Sequence, residues 1–391
     1  MDLDNFKSLN DALGHGSGDQ LLAQVAQRIE AAVDASATVG RPGGDEFAVI
    51  LDGLHASPPE AAAQAEAVAQ TIIAALNRPF ALGSDAVHSS ASLGLTLFGP
   101  EPIRAEELLQ RADLAMYQAK DQGRNTLCFF TPRMQADAAA RSALEAELRV
   151  ALQRGSIEAW FQPVVDAAGR ITGAEALSRW RHPARGLVPP GEFIPLAEQT
   201  GLIQQLGRHM LRLACDQLVR WAGSRRTSHL IVAVNVSARE FRHPDFVGEV
   251  VRVLEETGAP PRRLKLELTE SMLLHDVQES IARMNALKTL GVGFSLDDFG
   301  TGYSSLAYLK RLPLDQLKID QSFVRDVLTD RNDAAIARTI IALAHSLGLD
   351  VVAEGVETEG QRSFLLRHGC LRFQGYLYGK PMTGAAFEAL L

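Results

Sequence analysis

The chain has 391 residues, enough for two ordinary domains and too many for one. Hydrophobic residues at 46% and charged residues at 22% are the proportions of a globular chain with a real core, which excludes a disordered polymer, a collagen-like repeat and a coiled-coil rod. A formal net charge of −8 leaves no broad basic surface, so duplex nucleic acid is not an expected partner, and an anionic ligand must be met by a metal ion or by a few placed Arg and Lys side chains.

Three cysteines, Cys128, Cys215 and Cys370, lie far apart without CxxC spacing, which argues against a disulfide framework or a zinc cluster and for a reducing, cytoplasmic setting. The first residues, Met1 to Phe6, have no basic start followed by an apolar run, and no later apolar stretch approaches the roughly 18 residues a spanning helix needs. Neither secretion nor a membrane segment is expected.

In chain order, an amphipathic helix is expected near Asp19 to Val33, then a hairpin about Pro42 to Asp45 with apolar Phe47 to Leu51 as its second strand. A helix near Ala61 to Leu76, a strand at Ala91 to Leu97 and a helix near Ala105 to Lys120 complete a smaller α+β domain over residues 1–130. Residues 131–140 are polar and Ala-rich and read as a linker leading into a helix.

From about Arg141 to Leu391 short apolar strands alternate with helical stretches. The strands are Ala159 to Val165, Ala174 to Ser178, Leu230 to Val236, Leu264 to Thr269, Gly293 to Leu296, Gln316 to Ile319, Val351 to Ala353 and Phe373 to Leu377. About eight strands in roughly 250 residues is the rhythm of a (β/α)8 TIM-like barrel, so the chain reads as α/β overall.

Acidic or amide residues sit where these strands stop: Glu175, Asn235, Glu267, the pair Asp297-Asp298, and Glu354. In a closed parallel barrel such ends converge on one cavity, and carboxylates that close repel one another unless a positive charge lies among them. All-oxygen ligands without His or Cys suit Mg²⁺ or Mn²⁺ better than zinc. Any one of these acids alone reads as a solvated loop residue; the coincidence at five strand ends does not.

Arg179 follows Glu175 by four residues, and Lys318 ends the sixth strand, where it reads either as a group that holds a phosphate or orients a water, or as half of an internal ion pair. The Gly-containing run Asp298 to Ser305 reads as a lid or as an ordinary connecting turn.

Taken in order, Glu175-Ala176-Leu177, Ser178-Arg179-Trp180, Asn235-Val236-Ser237, Glu267-Leu268-Thr269-Glu270, Asp297-Asp298-Phe299-Gly300, Lys318-Ile319-Asp320, Glu354-Gly355-Val356-Glu357 and Gln374-Gly375-Tyr376 resemble the EAL family of cyclic di-GMP phosphodiesterases over about residues 141–391. The resemblance implies a hydrolase that opens cyclic di-GMP to linear pGpG. It implies a two-metal site, with Mg²⁺ or Mn²⁺ held by Glu175, Asn235, Glu267, Asp297, Asp298 and Glu354. It further implies that Lys318 assists the attacking water in a catalytic set with Glu175 and Glu354, that Gln162, Arg179 and Gln374 contact substrate, and that Glu270 anchors the loop after Asp298.

Residues 1–130 resemble the GGDEF family of diguanylate cyclases, through Gly43-Gly44-Asp45-Glu46-Phe47, the upstream Asp2-Leu3-Asp4-Asn5-Phe6-Lys7, Asn10-Asp11, Gly14-His15 and Gly18-Asp19, and the downstream Lys120, Gly123, Arg124 and Asn125. That resemblance implies metal binding by Asp2 and Asp45, catalytic assistance by Glu46, guanine contacts by Asn10 and Asp19, phosphate contacts by Lys120 and Arg124, GTP as ligand, and a homodimer.

Two departures accompany it. The chain starts at the Asp that closes the family's first core strand, so an unpaired sheet centre and a frayed Asp2 are expected. The family's product-inhibition motif is replaced by Asp34-Ala35-Ser36-Ala37. The leading expectation is a phosphodiesterase with a regulatory or inactive first domain, ahead of a bifunctional cyclase and phosphodiesterase and of a non-catalytic cyclic di-GMP receptor.

Overall fold

A computed structural model describes residues 1–83, 85–273, 276–300 and 309–391. The chain divides into two units, Met1–Ala143 and Leu144–Leu391.

In the first unit the strands are β1 (Asp2–Leu3), β2 (Thr38–Gly43), β3 (Glu46–Ile50), β4 (Phe80–Leu82), β5 (Asp85–Val87), β6 (Ala91–Leu95) and β7 (Leu127–Phe129). Five of them form a sheet in the order β2-β3-β1-β6-β7. The helix His15–Ala32 buries Leu21, Leu22, Val25 and Ile29, the three- and four-residue spacing of one helical face, with Phe47, Ile72 and Leu93 in the same core. Gly94 of β6 lets the helix Ala105–Asp121 approach closely, since an added Cβ would lie 1.9 Å from the Ala112 carbonyl oxygen.

The frayed Asp2 expected from the sequence is corrected here. Asp2 pairs with Glu46 on one side and Ser92 on the other, and Leu3 pairs with Ala91. The Met1 amino group donates to the Phe47 carbonyl at 2.8 Å and the Phe47 N–H returns a bond of 2.9 Å to the Met1 carbonyl. Two residues suffice to exchange hydrogen bonds with both neighbours, and buried Leu3 seals the sheet centre against the core.

In the second unit the strands are β8 (Ile157–Asp166), β9 (Ile171–His182), β10 (Gly186–Val188), β11 (Ile231–Asn235), β12 (Leu264–Thr269), β13 (Gly293–Phe299), β14 (Gln316–Ile319), β15 (Asp350–Ala353), β16 (Arg372–Gln374) and β17 (Met382–Thr383). The order β9-β11-β12-β13-β14-β15-β16-β8, with β8 paired back to β9, closes an eight-strand ring. Seven strands run parallel, whereas β8 is antiparallel to both neighbours. Its direction follows from the turn: Asp166 accepts the Ala168 and Arg170 N–H groups at 2.9 Å, and a link this short permits only a hairpin, because a parallel crossover needs a dozen or more residues.

The eighth strand stops at Gln374 instead of reaching Leu377, because Gly375 is pressed against Val356, whose carbonyl oxygen lies 2.1 Å from where a Cβ would stand. Of residues 131–140, read as a linker, all but Thr131 are helical: they belong to the helix Pro132–Arg154, within which the division between the units falls.

Beyond β11 the helix Ala238–Phe241 is capped reciprocally, with the Ser237 N–H donating to Glu240 Oε2 at 2.9 Å and the Glu240 N–H donating to Ser237 Oγ at 3.3 Å. The Glu240 carboxyl lies in the space a side chain on Gly207 would fill. Burial, and then the neighbouring Glu249 and Glu198, push that carboxyl up to about 7 although Ser237 bonds oppose the shift.

The folded chain therefore binds this proton more tightly than the unfolded chain. The stabilisation is complete below the ordinary value of 4.5 and is lost as pH rises through about 7, on the order of 3 kcal/mol in all. Glu240→Gln keeps the acceptor and removes the titration. Thermal unfolding from about pH 5 to about pH 8 should show the variant gaining stability relative to the parent as pH rises; parallel curves would refute the assignment.

Candidate active site

The parallel strands of the closed ring bring their C-terminal ends to one rim. Asn235 stands beside Glu267, and Thr269 beside Asp297, in the ladder register. Adjacent residues of a regular strand point to opposite faces, so two neighbouring aspartates need a local irregularity to serve one cavity. Strand β13 supplies it: between Leu296 and Phe299 it takes one more residue than β14, and Asp298 adopts a left-handed φ of 53°. One oxygen each from Asp297, Asp298 and Glu354 then lie within 4.8 Å of one another.

Lys318, 1% exposed, occupies the middle of the site. Its Nζ lies 2.5 Å from Glu354 Oε1, 2.8 Å from Glu267 Oε2, 3.2 Å from Asp297 Oδ1 and 3.4 Å from Glu175 Oε2. Glu175 is held further by amides, accepting from Asn235 Nδ2 at 2.5 Å and from Gln374 Nε2 at 2.6 Å. Gln374 Nε2 also reaches Gln162 Oε1 at 3.2 Å.

Four carboxylates thus face one ammonium, and negative charge is in excess. Burial would lower the Lys318 affinity for its proton, but Glu175, Glu267, Glu354 and Asp297 outweigh it and hold the ammonium well above its usual range. Burial drives Glu267 well above the ordinary carboxylate range and Glu354 up to about 8, with Lys318 opposing in both cases. Glu175 behaves differently: burial raises it, yet Lys318, Gln374 and Asn235 together hold it below 4.5. Burial, then Asp297 and Asp320, push Asp298 up to about 6. Protons on carboxyl groups near neutrality mark places where cations would be welcome, and an all-oxygen donor set with surplus charge fits hard divalent ions.

Arg179 is half-buried on β9, with Nη1 donating to the Ser178 carbonyl at 2.8 Å and its guanidinium 5.8 Å from the Trp160 ring centre. Glu270 opens the helix Glu270–Leu273 directly after β12. Both its carboxylate oxygens are buried, with no hydrogen-bond partner among the described residues. Of the run Asp298 to Ser305, residues 301–305 lie outside the described residues.

In the first unit, Asp2 Oδ1 is ion-paired with Lys120 Nζ at 2.6 Å, and Glu46 is the cross-strand neighbour of Asp2. Asp45 sits in the hairpin turn, which Arg41 pins by donating Nε and Nη2 to the Gly44 carbonyl at 3.0 and 2.6 Å. Asn10 Nδ2 lies 3.1 Å from His15 Nδ1, Asp19 is exposed, and Arg124 has a left-handed φ of 65°. Asp2, Glu46 and Lys120 come together at the strand ends; Asn10 and Asp19 belong to the helical segment that follows β1.

Several contributors escaped sequence reasoning. Asp320 bears on Asp298, and was signalled only by closing the Lys318-Ile319-Asp320 run. Lys265, two residues before Glu267 on β12, is buried and donates to Gln316 Oε1 at 3.0 Å, and nothing in an apolar strand pattern announces a buried cation. Asp4 accepts from Ser90 Oγ at 2.6 Å, Ser92 Oγ at 2.7 Å and the Asn125 N–H at 3.1 Å, partners about ninety or more residues away.

The profile of the EAL domain matches residues 145–381. The chain belongs to the EAL family. The profile of the diguanylate cyclase GGDEF domain matches residues 1–126, so the chain joins a GGDEF domain to an EAL domain.

Among curated relatives it is 46% identical over 383 residues to the bifunctional diguanylate cyclase/cyclic di-GMP phosphodiesterase MucR of Pseudomonas aeruginosa, covering 98% of this chain and 55% of that protein. It is 43% identical to the cyclic di-GMP phosphodiesterase NbdA of the same organism, covering 100% and 49%, and 39% identical to PdeR of Escherichia coli, covering 99% and 58%. The chain thus spans about half the length of the curated relatives it matches. Among solved structures, the PaMucR phosphodiesterase in complex with c-di-GMP is similar with a TM-score of 0.60 and 47% identity, over 64% of this chain and 100% of that one. The EAL domain of Mycobacterium smegmatis DcpA follows at 0.52 and 37%, over 61% and 96%.

Proposed function

We propose that the barrel hydrolyses cyclic di-GMP to linear pGpG with two divalent cations, Mg²⁺ or Mn²⁺, and that the first unit is regulatory. The observation that carries this reading is the ring of Glu175, Glu267, Asp297 and Glu354 about one buried lysine, with Asn235 and Asp298 beside it. The solved PaMucR complex and the names of NbdA and PdeR support the substrate.

In this reading Glu175, Asn235, Glu267, Asp297, Asp298 and Glu354 are the residues that hold the cations. Divalent cations, when bound there, supply Lewis-acid activation of water and neutralise phosphodiester charge. The Lys318 ammonium steadies the carboxylates and donates a hydrogen bond that orients the attacking water. Asn235 and Gln374 fix Glu175 in its ionised form, and Gln162 carries that amide network to the Gly379 carbonyl at 3.3 Å.

Gln374 Oε1, buried with no partner among the described residues, is available to a ligand N–H. Arg179 offers paired N–H groups to the non-bridging phosphate oxygens. The water oxygen bonds to phosphorus and gives up one proton while the P–O3′ bond breaks and the leaving 3′ oxygen takes one up, so that the sum of the step is the addition of one water. Glu270, its carboxylate buried and unpartnered among the described residues, anchors the loop after Asp298.

A reducing cytoplasmic setting is supported by three free thiols, Cys128, Cys215 and Cys370. Among the described residues no helix is long and apolar enough to cross a membrane. A homodimer enters only through the first unit, whose cyclase chemistry would need two copies.

Incubation of the full chain with cyclic di-GMP and Mg²⁺ or Mn²⁺, followed by chromatography, should yield pGpG. Glu175→Ala or excess chelator should lower turnover by at least about 100-fold, and Glu270→Ala should impair it while leaving thermal unfolding unchanged. Undiminished turnover in Glu175→Ala would remove the reading.

For the first unit, the Asp2–Lys120 pair ties together two groups that GTP and its metal would have to engage, and we assign that unit a GTP-responsive but non-synthetic role. In a Glu175→Ala background, where any product would survive, GTP should give no cyclic di-GMP; clear accumulation would make the first unit a working cyclase.

A further inference from the structure

The hairpin of β8 and β9 carries more than Gln162 and Glu175. In its antiparallel register Gln162 stands opposite Glu175, Trp160 opposite Leu177 and Glu158 opposite Arg179. Residues two apart on a strand share a face, and so do direct cross-strand partners. Glu158, Trp160, Gln162, Glu175, Leu177 and Arg179 therefore form one continuous stripe on the face that bears the catalytic glutamate. Ala176, Ser178 and Trp180 occupy the other face and are buried.

Within the stripe the side chains are tied in series. Arg181 donates Nε to Glu158 Oε1 at 2.6 Å and Nη2 to Oε2 at 3.0 Å, the two-pronged geometry that fixes a carboxylate. Glu158 Oε2 in turn accepts the Trp160 indole N–H at 3.1 Å. The half-buried Trp160 ring then presents its face to the Arg179 guanidinium, 5.8 Å from the ring centre. Arginine carries several rotatable bonds, and a guanidinium that must meet a phosphate gains from being held before substrate arrives.

Building on the hydrolase reading above, we propose that Trp160, locked by Glu158, is a positioning residue that holds Arg179 toward the catalytic face and so sets how tightly the phosphodiester of cyclic di-GMP is gripped. Trp160 acts through Arg179 and takes no part in bond breaking. Its loss therefore weakens ground-state binding and leaves the chemical step alone.

The test is steady-state hydrolysis of cyclic di-GMP by the full chain with Mg²⁺ and the variants Trp160→Ala, Trp160→Phe, Glu158→Gln, Arg179→Ala and the double Trp160→Ala/Arg179→Ala. Trp160→Ala should raise KM about tenfold, the size of a partly desolvated cation–π contact, with kcat within about twofold. Trp160→Phe should restore most of the affinity, and Glu158→Gln, which leaves the ring in place, should raise KM to a smaller degree. The double variant should be no worse than Arg179→Ala alone.

Additive losses in the double variant, or an unchanged KM in both Trp160→Ala and Glu158→Gln, would overturn the positioning role while leaving the hydrolase reading intact. A parent chain that neither binds nor hydrolyses cyclic di-GMP would overturn both. Should Trp160→Ala fail to fold, Glu158→Gln and Trp160→Phe decide the matter alone.

Discussion

A lysine buried among four carboxylates is the constraint on which the second unit depends. Lys318 and its partners come from four strands and from Glu354, the residue directly after a fifth, so the cluster exists only when the ring is closed and each strand sits in its register. Removing one member of such a cluster leaves charge stranded at low dielectric, which costs more than the pairing itself gains. With four carboxylates about a single ammonium, the cluster is costly to hold without further positive charge.

The remaining features of the barrel serve that cluster. The extra residue in β13 and the left-handed Asp298 bring a second aspartate to a cavity that a regular strand would deny it. The antiparallel β8 replaces a crossover helix with a hairpin, which sets Gln162 and Trp160 on the same face as Glu175 and Arg179. Gly375, close against Val356, ends the last strand where Gln374 can reach both Glu175 and Gln162.

Much of this was legible because apolar strands that end in acids leave a strong local signature. Strands β12 and β14 have the bounds read from sequence, and β13 runs three residues further, into the bulge. Lys318 was read as either an internal ion pair or a group for catalysis, and the structure makes it the centre of the ion pairs. The direction of β8 was not legible from an alternation that looked like any other barrel strand; it was fixed by the Asp166 turn. Nor was the pairing of Asp2, because two residues carry no periodicity and their hydrogen bonds lie more than forty residues away. The polar, Ala-rich residues 131–140 read as a linker since they lack an apolar face, yet alanine is also the strongest helix former.

The central claim, that the carboxylates around Lys318 form a divalent-cation site held together by one ammonium, is tested most directly by thermal unfolding of the chain and of Lys318→Met in chelator and with Mn²⁺. Without cations the substitution should cost about 3–5 kcal/mol, the penalty of breaking a buried charge cluster, and Mn²⁺ should raise the midpoint of both proteins, with the larger rise in the variant. Midpoints indifferent to Mn²⁺ in both proteins would contradict the account.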